Sequence, residues 1–506
     1  MSAAPSLDPC DIVVFGGTGD LAMRKLLPAL YLRDRDGHLA GQTRIIAVSR
    51  AGLDAAGYRD KVRAELRGFL PKDCHDTASE ERFLARLNHL TVDIAGQDRW
   101  LDLVTALSED PQAVRVFYLA CAPSLFGSVC AKLAESRLVT EQSRVVLEKP
   151  IGHDLASARA INDEVGAVFS EEQIFRIDHY LGKETVQNLM VFRFANSIFE
   201  PLWNRHYIDN VQITAAEVVG VEGRGGYYDS AGAMRDMIQS HILQLMAALA
   251  MEAPNSFHAA DLRTEQRKVL EAVRDIPPGK VNDYAVRGQY GPGEINGRPY
   301  VAYRKEKGVD PNSNTDTYAA IRLRVDNWRW QGVPFYLRTG KGMKRKLTQM
   351  VLYFKPTPHC LFAGTTDPDA AHCDLRPNRL VINVQPDEGI SLRFEGKVPG
   401  QKLEVRSAIM DFDYQAQFGG HIPEAYGHLL LDAMKGDRSL FKDRHEIEAA
   451  WRIVMPVLDY WASHPGEQMH EYPAGSWGPE ASEQLFRGNG HWHNPEGELT
   501  RWKKIG

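Results

Sequence analysis

Cysteine is scarce in this chain, and neither sign of charge dominates it. Six cysteines (Cys10, Cys74, Cys121, Cys130, Cys360 and Cys373) are scattered over 506 residues with no Cys-x-x-Cys pair. They encode no disulfide framework and read as reduced thiols of a cytoplasmic protein. A formal net charge of −6 argues against a nucleic-acid partner and leaves any anion site to local clusters. No apolar run approaches the roughly 20 residues of a membrane span. The first residues, Met1-Ser2-Ala3-Ala4-Pro5-Ser6-Leu7-Asp8, lack the basic and apolar regions of a signal peptide. Internal repeats and long linkers are also missing. What is present is 43% hydrophobic and 25% charged, the composition of an ordinary soluble globular protein long enough for two or more domains.

The chain is organised around Arg176-Ile177-Asp178-His179-Tyr180-Leu181-Gly182-Lys183-Glu184. A carboxylate, an imidazole, a phenol and an ammonium follow an apolar run (Ile174, Phe175, Ile177) and precede a helix-like segment. Strand, polar turn and helix start is where an α/β protein places a ligand, at the carboxyl end of a strand. A helix starting near Gly182 points free N–H groups at an anion, with Lys183 beside them. Taken alone, the stretch fits a polar surface turn equally well.

Upstream, the buried-strand run Ile12-Val13-Val14-Phe15 passes into Gly16-Gly17-Thr18-Gly19-Asp20-Leu21-Ala22, and then into the helical pattern Leu26, Leu27, Leu30, Tyr31. This G-x-x-G-x-x-A loop is a form of the dinucleotide fingerprint. Gly16 allows the tight turn, Gly19 lets backbone approach a pyrophosphate, and Ala22 permits close helix–strand packing. Such a loop is weak as a pattern; its place between a strand and a helix gives it weight. The next strand, Arg44–Val48, ends in Ser49 and Arg50. An acidic residue there would hold an NAD ribose, whereas an arginine pairs with a 2′-phosphate, so the coenzyme expected is NADP. Strand-like runs at Val114–Ala120 and Arg144–Leu147 follow, the second leading into Glu148-Lys149-Pro150 and an ammonium at the cleft mouth. β and α alternate to about residue 175, which implies a doubly wound parallel sheet.

The pattern then changes. A run at Val211–Val218 precedes a glycine-rich loop and a helix expected from about Ser230 to Ala250. Alternating runs follow at Thr317–Val325, Met350–Phe354, Leu380–Val384, Ile390–Phe394 and Lys402–Val405. They imply a mainly antiparallel sheet packed on helices. Helices close the chain at Ala425–Met434 and Glu446–Tyr460. The expected division is a Rossmann-type coenzyme domain, residues 1–177, and an α+β domain for substrate binding and oligomerisation, residues 178–506.

The 176–184 stretch, Gly-Gly-Thr-Gly-Asp-Leu-Ala at residue 16, Glu148-Lys149-Pro150, Arg224-Gly225-Gly226-Tyr227-Tyr228-Asp229, Arg338-Thr339-Gly340-Lys341 and Tyr-Pro-Ala-Gly-Ser-Trp-Gly-Pro at 472 together resemble glucose-6-phosphate dehydrogenase over nearly the whole chain. The resemblance implies oxidation of glucose 6-phosphate at C1 to 6-phosphogluconolactone with hydride transfer to NADP, the first step of the oxidative pentose phosphate pathway, by two or four copies of the chain. It makes His241, in Arg235-Asp236-Met237-Ile238-Gln239-Ser240-His241, the base and Asp178 its partner. It gives the phosphate to His179, Tyr180 and Lys183, with Lys183 also reaching a sugar oxygen. Glu217 and Asp236 match positions that accept bonds from sugar hydroxyls. Lys341 and Lys346 match the cations on the far side, although Lys344, Arg345 and Lys346 compete for the second place. Gln385 is a weaker candidate, and Lys149 serves both ligands. The coenzyme set is Gly16, Gly17, Thr18, Gly19, Asp20, Leu21, Ser49, Arg50 and Lys149.

The chain departs from the family pattern at Ala122, where proline is frequent, and at Gly427-His428, expected far from the site. His491 and His493 lack a cysteine or acid pattern for metal, so they read as surface histidines and no metal is expected. A sugar oxidoreductase of the glucose–fructose oxidoreductase type and a catalytically silent NADPH-binding sensor are the competing readings. The phosphate set argues against the first. The joint presence of Asp178, His241, Lys183 and Lys149 argues against the second.

Overall fold

The computed structural model describes residues 7–94, 96, 99–108, 113–359, 361–362, 375–400, 403–419, 425–488 and 490–495. Within them the chain forms two compact units. One comprises Met1–Glu184, Pro254–Glu265 and Ile422–Glu448; the other comprises Thr185–Ala253, Gln266–His421 and Ala449–Gly506.

Continuous apolar runs build the sheet of the first unit. Cys10–Phe15 and Val114–Leu119 are buried at every position, as strands covered on both faces must be. Six parallel strands run Leu87–Thr91, Arg44–Ser49, Cys10–Phe15, Val114–Leu119, Ser143–Leu147 and Ile174–Ile177, in spatial order. The order reverses between the third and fourth, which opens a crevice at their carboxyl ends. Asp11, itself buried, is held by two bonds from Arg44 on the neighbouring strand, at 2.7 and 2.8 Å. A seventh strand, Phe441–Lys442, pairs antiparallel with the last parallel one, Phe441 opposite Ile177 and Lys442 opposite Arg176. It is only two residues long, and no alternation marks it in the sequence.

The second unit is built on nine strands, in spatial order Val405–Asp413, Gly389–Lys397, Arg379–Gln385, Leu347–Phe354, Ile208–Ala216, Pro334–Gly340, Tyr318–Arg324, Ala285–Gly291 and Met469–Pro473. Pairing is antiparallel except for Ile208–Ala216 with Pro334–Gly340 and Ala285–Gly291 with Met469–Pro473, which are parallel. The run expected at Lys402–Val405 is corrected: the strand begins at Val405, and Lys402 lies outside the described residues. Four cysteines (Cys10, Cys74, Cys121 and Cys130) are free thiols; Cys360 and Cys373 lie outside the described residues.

The helix expected from Ser230 to Ala250 is also corrected. Helix begins at Gly225, breaks at Gly232 and resumes at Met234, running with π-helical turns to Ile242 and α-helically to Ala250. The cause is local. Gly232 takes φ +73°, where a Cβ would lie 2.5 Å from an Asp316 carboxylate oxygen. That carboxylate caps the new helix start by accepting the Met234 N–H at 2.8 Å.

Helix Arg444–Ser463 opens on a reciprocal cap: Glu446 N–H donates to Asp443 and Asp443 N–H to Glu446, both at 2.8 Å. Glu446 is fully buried, and burial pushes its pKa up to about 8, Asp443 adding to the effect and Lys442 opposing it. Below pH 4.5, its ordinary value, the group is neutral folded or unfolded. Between 4.5 and 8 only the unfolded chain ionises, so stability falls as pH rises, by at most about 1.4 kcal/mol per unit. Glu446→Gln keeps the acceptor and removes the titration. Its melting temperature relative to wild type should climb steadily from pH 5 to pH 8. Parallel melting curves across that range would show that Glu446 does not titrate there.

Candidate active site

The glycine loop follows the third parallel strand at the crevice. Gly16 N–H and Gly17 N–H both bond to the Val48 carbonyl, at 2.9 and 3.1 Å. Gly16 takes φ +87°, and a Cβ there would meet the Ala120 carbonyl oxygen at 2.4 Å; at Gly17 it would meet the Ala47 Cβ at 2.6 Å. Side chains are thus excluded where the loop passes between strand ends. Gly16, Thr18, Gly19, Ser49 and Arg50 line one cleft of about 810 Å3 with Val92, Asp93, Cys121, Ala122 and others. The residues present fit a dinucleotide: a side-chain-free loop at a helix start, and an arginine at the end of the second strand. Of the remaining coenzyme candidates, Asp20 is exposed and pairs with Arg24 at 3.4 Å. Leu21 packs partly buried against the core.

One residue behind this cleft escaped sequence reasoning. The His89 Nδ1–H donates to the Leu53 carbonyl at 2.9 Å, which leaves Nε2 to accept the Ser49 hydroxyl at 2.9 Å. Burial lowers the His89 pKa, and Tyr58 stacks on the ring at 5.2 Å. Ser49 is thereby held by a neutral imidazole, and Arg50 is the exposed cation of the pair.

At the end of the Ile174–Ile177 strand the chain makes a tight turn around Asp178, which is fully buried. Its Oδ1 accepts the Tyr180 N–H at 3.0 Å, its carbonyl accepts the Leu181 N–H at 3.0 Å, and Lys442 Nζ stands 2.7 Å from Oδ2. The structure brings His179, Tyr180 and Lys183 together. The two rings lie 4.9 Å apart, and the Lys183 ammonium sits 5.9 Å from the Tyr180 ring centre. Two residues after the Ser143–Leu147 strand, Lys149 follows a buried Glu148 whose carboxyl accepts the Tyr118 hydroxyl.

The view that Gly427-His428 lies far from the site is corrected. Helix Ala425–Lys435 packs on the signature turn: a Cβ at Gly182 would lie 3.2 Å from Ala425. Tyr426 stacks on His179 with rings 6.1 Å apart and 10° between planes. His428 pairs with Glu184 at 3.1 Å, which lowers the Glu184 pKa.

In the second unit, Glu217 and Lys341 follow the paired parallel strands Ile208–Ala216 and Pro334–Gly340. They form an ion pair, and the Lys341 ammonium lies 4.9 Å from the Tyr228 ring centre. His241, almost wholly buried, and the half-buried Asp236 share the π-helical stretch. Wide turns of this kind recur at functional sites. Arg345 is engaged with the Pro495 carbonyl at 3.0 Å, while Lys344 and Lys346 are exposed. Gln385 donates to Thr348 at 2.9 Å.

His493 is not the surface residue expected. It is buried, its N–H bonds Gln212 at 2.7 Å, and its Nδ1 accepts from Arg379 at 3.1 Å. Burial, together with Arg379, Arg338 and Arg393, holds its pKa well below the usual value. His491 is exposed.

The family models for the glucose-6-phosphate dehydrogenase NAD binding domain and C-terminal domain match residues 13–188 and 190–494. Glucose-6-phosphate 1-dehydrogenase of Mycolicibacterium smegmatis is 49% identical over 97% of this chain and 99% of its own. That of Rhizobium meliloti is 46% identical over 96% and 98%. Among solved structures, a glucose-6-phosphate dehydrogenase in complex with its substrate glucose-6-phosphate superposes with a TM-score of 0.85 at 36% identity, covering 94% of this chain and 97% of the other. The Mycobacterium avium enzyme gives 0.83 at 35%, covering 97% and 99%.

The cleft predicts coenzyme selectivity. Arg50→Ala should weaken NADP binding by about ten- to a hundred-fold, the worth of a charged hydrogen bond, and leave NAD little changed. Titrating both coenzymes by fluorescence checks it. Equal weakening would remove Arg50 from the 2′-phosphate.

Proposed function

This chain belongs to the glucose-6-phosphate dehydrogenase family, and we infer that it oxidises glucose 6-phosphate at C1 to 6-phosphogluconolactone as an NADP-dependent oxidoreductase, the first step of the oxidative pentose phosphate pathway. The observation that carries this reading is coverage: the two domain models match in order over residues 13–188 and 190–494. It favours this activity over that of a glucose–fructose oxidoreductase, as does the clustering of His179, Tyr180 and Lys183 in one turn.

The residues divide the work as follows. His241 takes the proton of the C1 hydroxyl in the transition state, a task for a base poised near neutral pH. Asp178 fixes the tautomer of His241 and stabilises the imidazolium that forms. NADP, when bound, accepts the hydride that leaves C1. Gly16, Gly17, Thr18, Gly19, Asp20 and Leu21 would hold the coenzyme, with the Gly19 backbone approaching its pyrophosphate, and Ser49 and Arg50 would hold its 2′-phosphate. Lys149, at a strand end, serves substrate and coenzyme. His179, Tyr180 and Lys183 bind the substrate phosphate. Glu217 and Asp236 accept from sugar hydroxyls, and Lys341 and Lys346, with Gln385, close the far side. In sequence the coenzyme domain is residues 1–177 and the substrate and oligomerisation domain residues 178–506, although Pro254–Glu265 and Ile422–Glu448 pack into the first compact unit.

The enzyme works as a homodimer or homotetramer in the cytoplasm. Val405–Asp413 lies at one edge of the nine-stranded sheet and leaves Ile409, Met410 and the nearby Phe418 exposed. Edges with apolar side chains are normally covered. Among the described residues no helix is long and apolar enough to cross a membrane.

Two variants test the site. His241→Asn should lower kcat by roughly 10²–10⁴-fold with substrate affinity nearly intact. A folded variant that keeps more than a tenth of the wild-type rate would mean that His241 is not the base. Lys183→Ala should chiefly raise the KM for glucose 6-phosphate, since a phosphate contact is made in ground and transition states alike. Preference for glucose 6-phosphate over glucose should shrink by an order of magnitude or more, as the loss of a charged hydrogen bond implies. An unchanged preference would take Lys183 out of the phosphate site.

A further inference from the structure

We propose that Lys442 is a positioning residue for this reaction, holding the Asp178 carboxylate ionised and oriented at the end of its strand. The inference rests on Asp178 acting as the partner of His241.

The geometry gives Asp178 a direct means of staying charged. It has no exposure to water, Tyr180 N–H stands 3.0 Å from Oδ1, and Lys442 Nζ stands 2.7 Å from Oδ2. Lys442 is itself buried, with its side chain 4% exposed. Its place is set by backbone pairing, because Lys442 stands opposite Arg176 in the Phe441–Lys442 strand. A buried carboxylate without a cation takes up a proton rather than stay charged. A neutral Asp178 could not stabilise an imidazolium.

Other titratable groups face this corner too, and His179 brings a ring nitrogen within 4.8 Å of an Asp178 oxygen. Asp443 and Glu446, from the start of the next helix, cap each other. Burial pushes the Glu446 pKa up to about 8, and the nearby Lys442 opposes that rise. Arg263, from helix Ala259–Glu271, acts on Glu446. His179 is the neighbouring residue, stacked on Tyr426. The buried carboxylate 2.7 Å from the Lys442 ammonium is the one assigned to the proton transfer.

The alternative is a plain structural pin between the strand end and the 422–448 segment, and the pH profile separates the two. In Lys442→Met the acid limb of the kcat–pH profile should move up by about one unit or more, with kcat at pH 7 down about ten-fold. The KM for glucose 6-phosphate should stay within about two-fold, and Lys442→Arg should return the limb to its wild-type place. A limb that stays put, or moves down, overturns the proposal. If Lys442→Met does not fold, the neutral pair Lys442→Met with Asp178→Asn replaces it, since removing both charges leaves no bare buried ion. Its rate should equal that of Asp178→Asn alone. A further loss would mean that Lys442 acts through some other group. Failure of the underlying reading is seen separately, in a His241→Asn variant that remains active.

Discussion

A carboxylate cannot stay charged out of water without partners in fixed positions, and Asp178 is where that constraint bears on the whole first unit. It ends a parallel strand, and its backbone and one oxygen shape the turn that carries His179, Tyr180 and Lys183. Its other oxygen faces an ammonium from a segment more than 250 residues further along the chain. That explains why the chain returns at Ile422–Glu448 to a unit it had left. The return supplies Lys442 to Asp178, His428 to Glu184 and Tyr426 to His179. A break in a buried ion pair costs more than the pair contributes, because one charge is left uncompensated. The signature turn and the returning segment therefore depend on each other.

The second unit applies the same logic with a different outcome. Asp316 is buried too, but its carboxylate accepts the Met234 N–H at a helix start, and burial pushes its pKa up to about 6. Its task is to fix where the helix begins, and hence which residues the π-helical turns present. Glu217 is instead half-exposed and satisfied by Lys341. Both follow parallel-paired strand ends, so the ion pair is set by the sheet register. Three carboxylates thus serve as hinge of a turn, helix cap and arm of an ion pair.

What sequence reasoning could read follows from range. The Gly16–Gly19 loop was legible because strand, turn and helix are contiguous, and the steric demands on Gly16 and Gly17 come from the next strands of the same sheet. The place of Arg50 was legible because it stands directly after a strand, and it lines the cleft with the glycine loop. The break at Gly232 was not, since it is imposed by Asp316, a loop residue distant in the chain. His89 was hidden because a histidine inside a short strand carries no signal until Ser49 is seen against it. Lys442 was the least legible of all. A two-residue strand has no periodicity, and a lysine there reads as a solvated surface group.

Anion recognition without a basic surface is the last consequence of this arrangement. The chain is net negative, so it does not gather phosphates by long-range attraction, and each cation must be held at its post by local partners. Lys341 is already fixed by Glu217 and the Tyr228 ring, and Lys183 lies near the Tyr180 ring. Such preorganised ammonium groups lose little conformational freedom when a phosphate arrives. The exposed Lys344 and Lys346 would have more conformational freedom to lose on meeting an anion. Buried Lys442 differs from all of these. Its charge is matched inside the protein, so it contributes nothing to binding an anion and serves instead to keep a carboxylate charged.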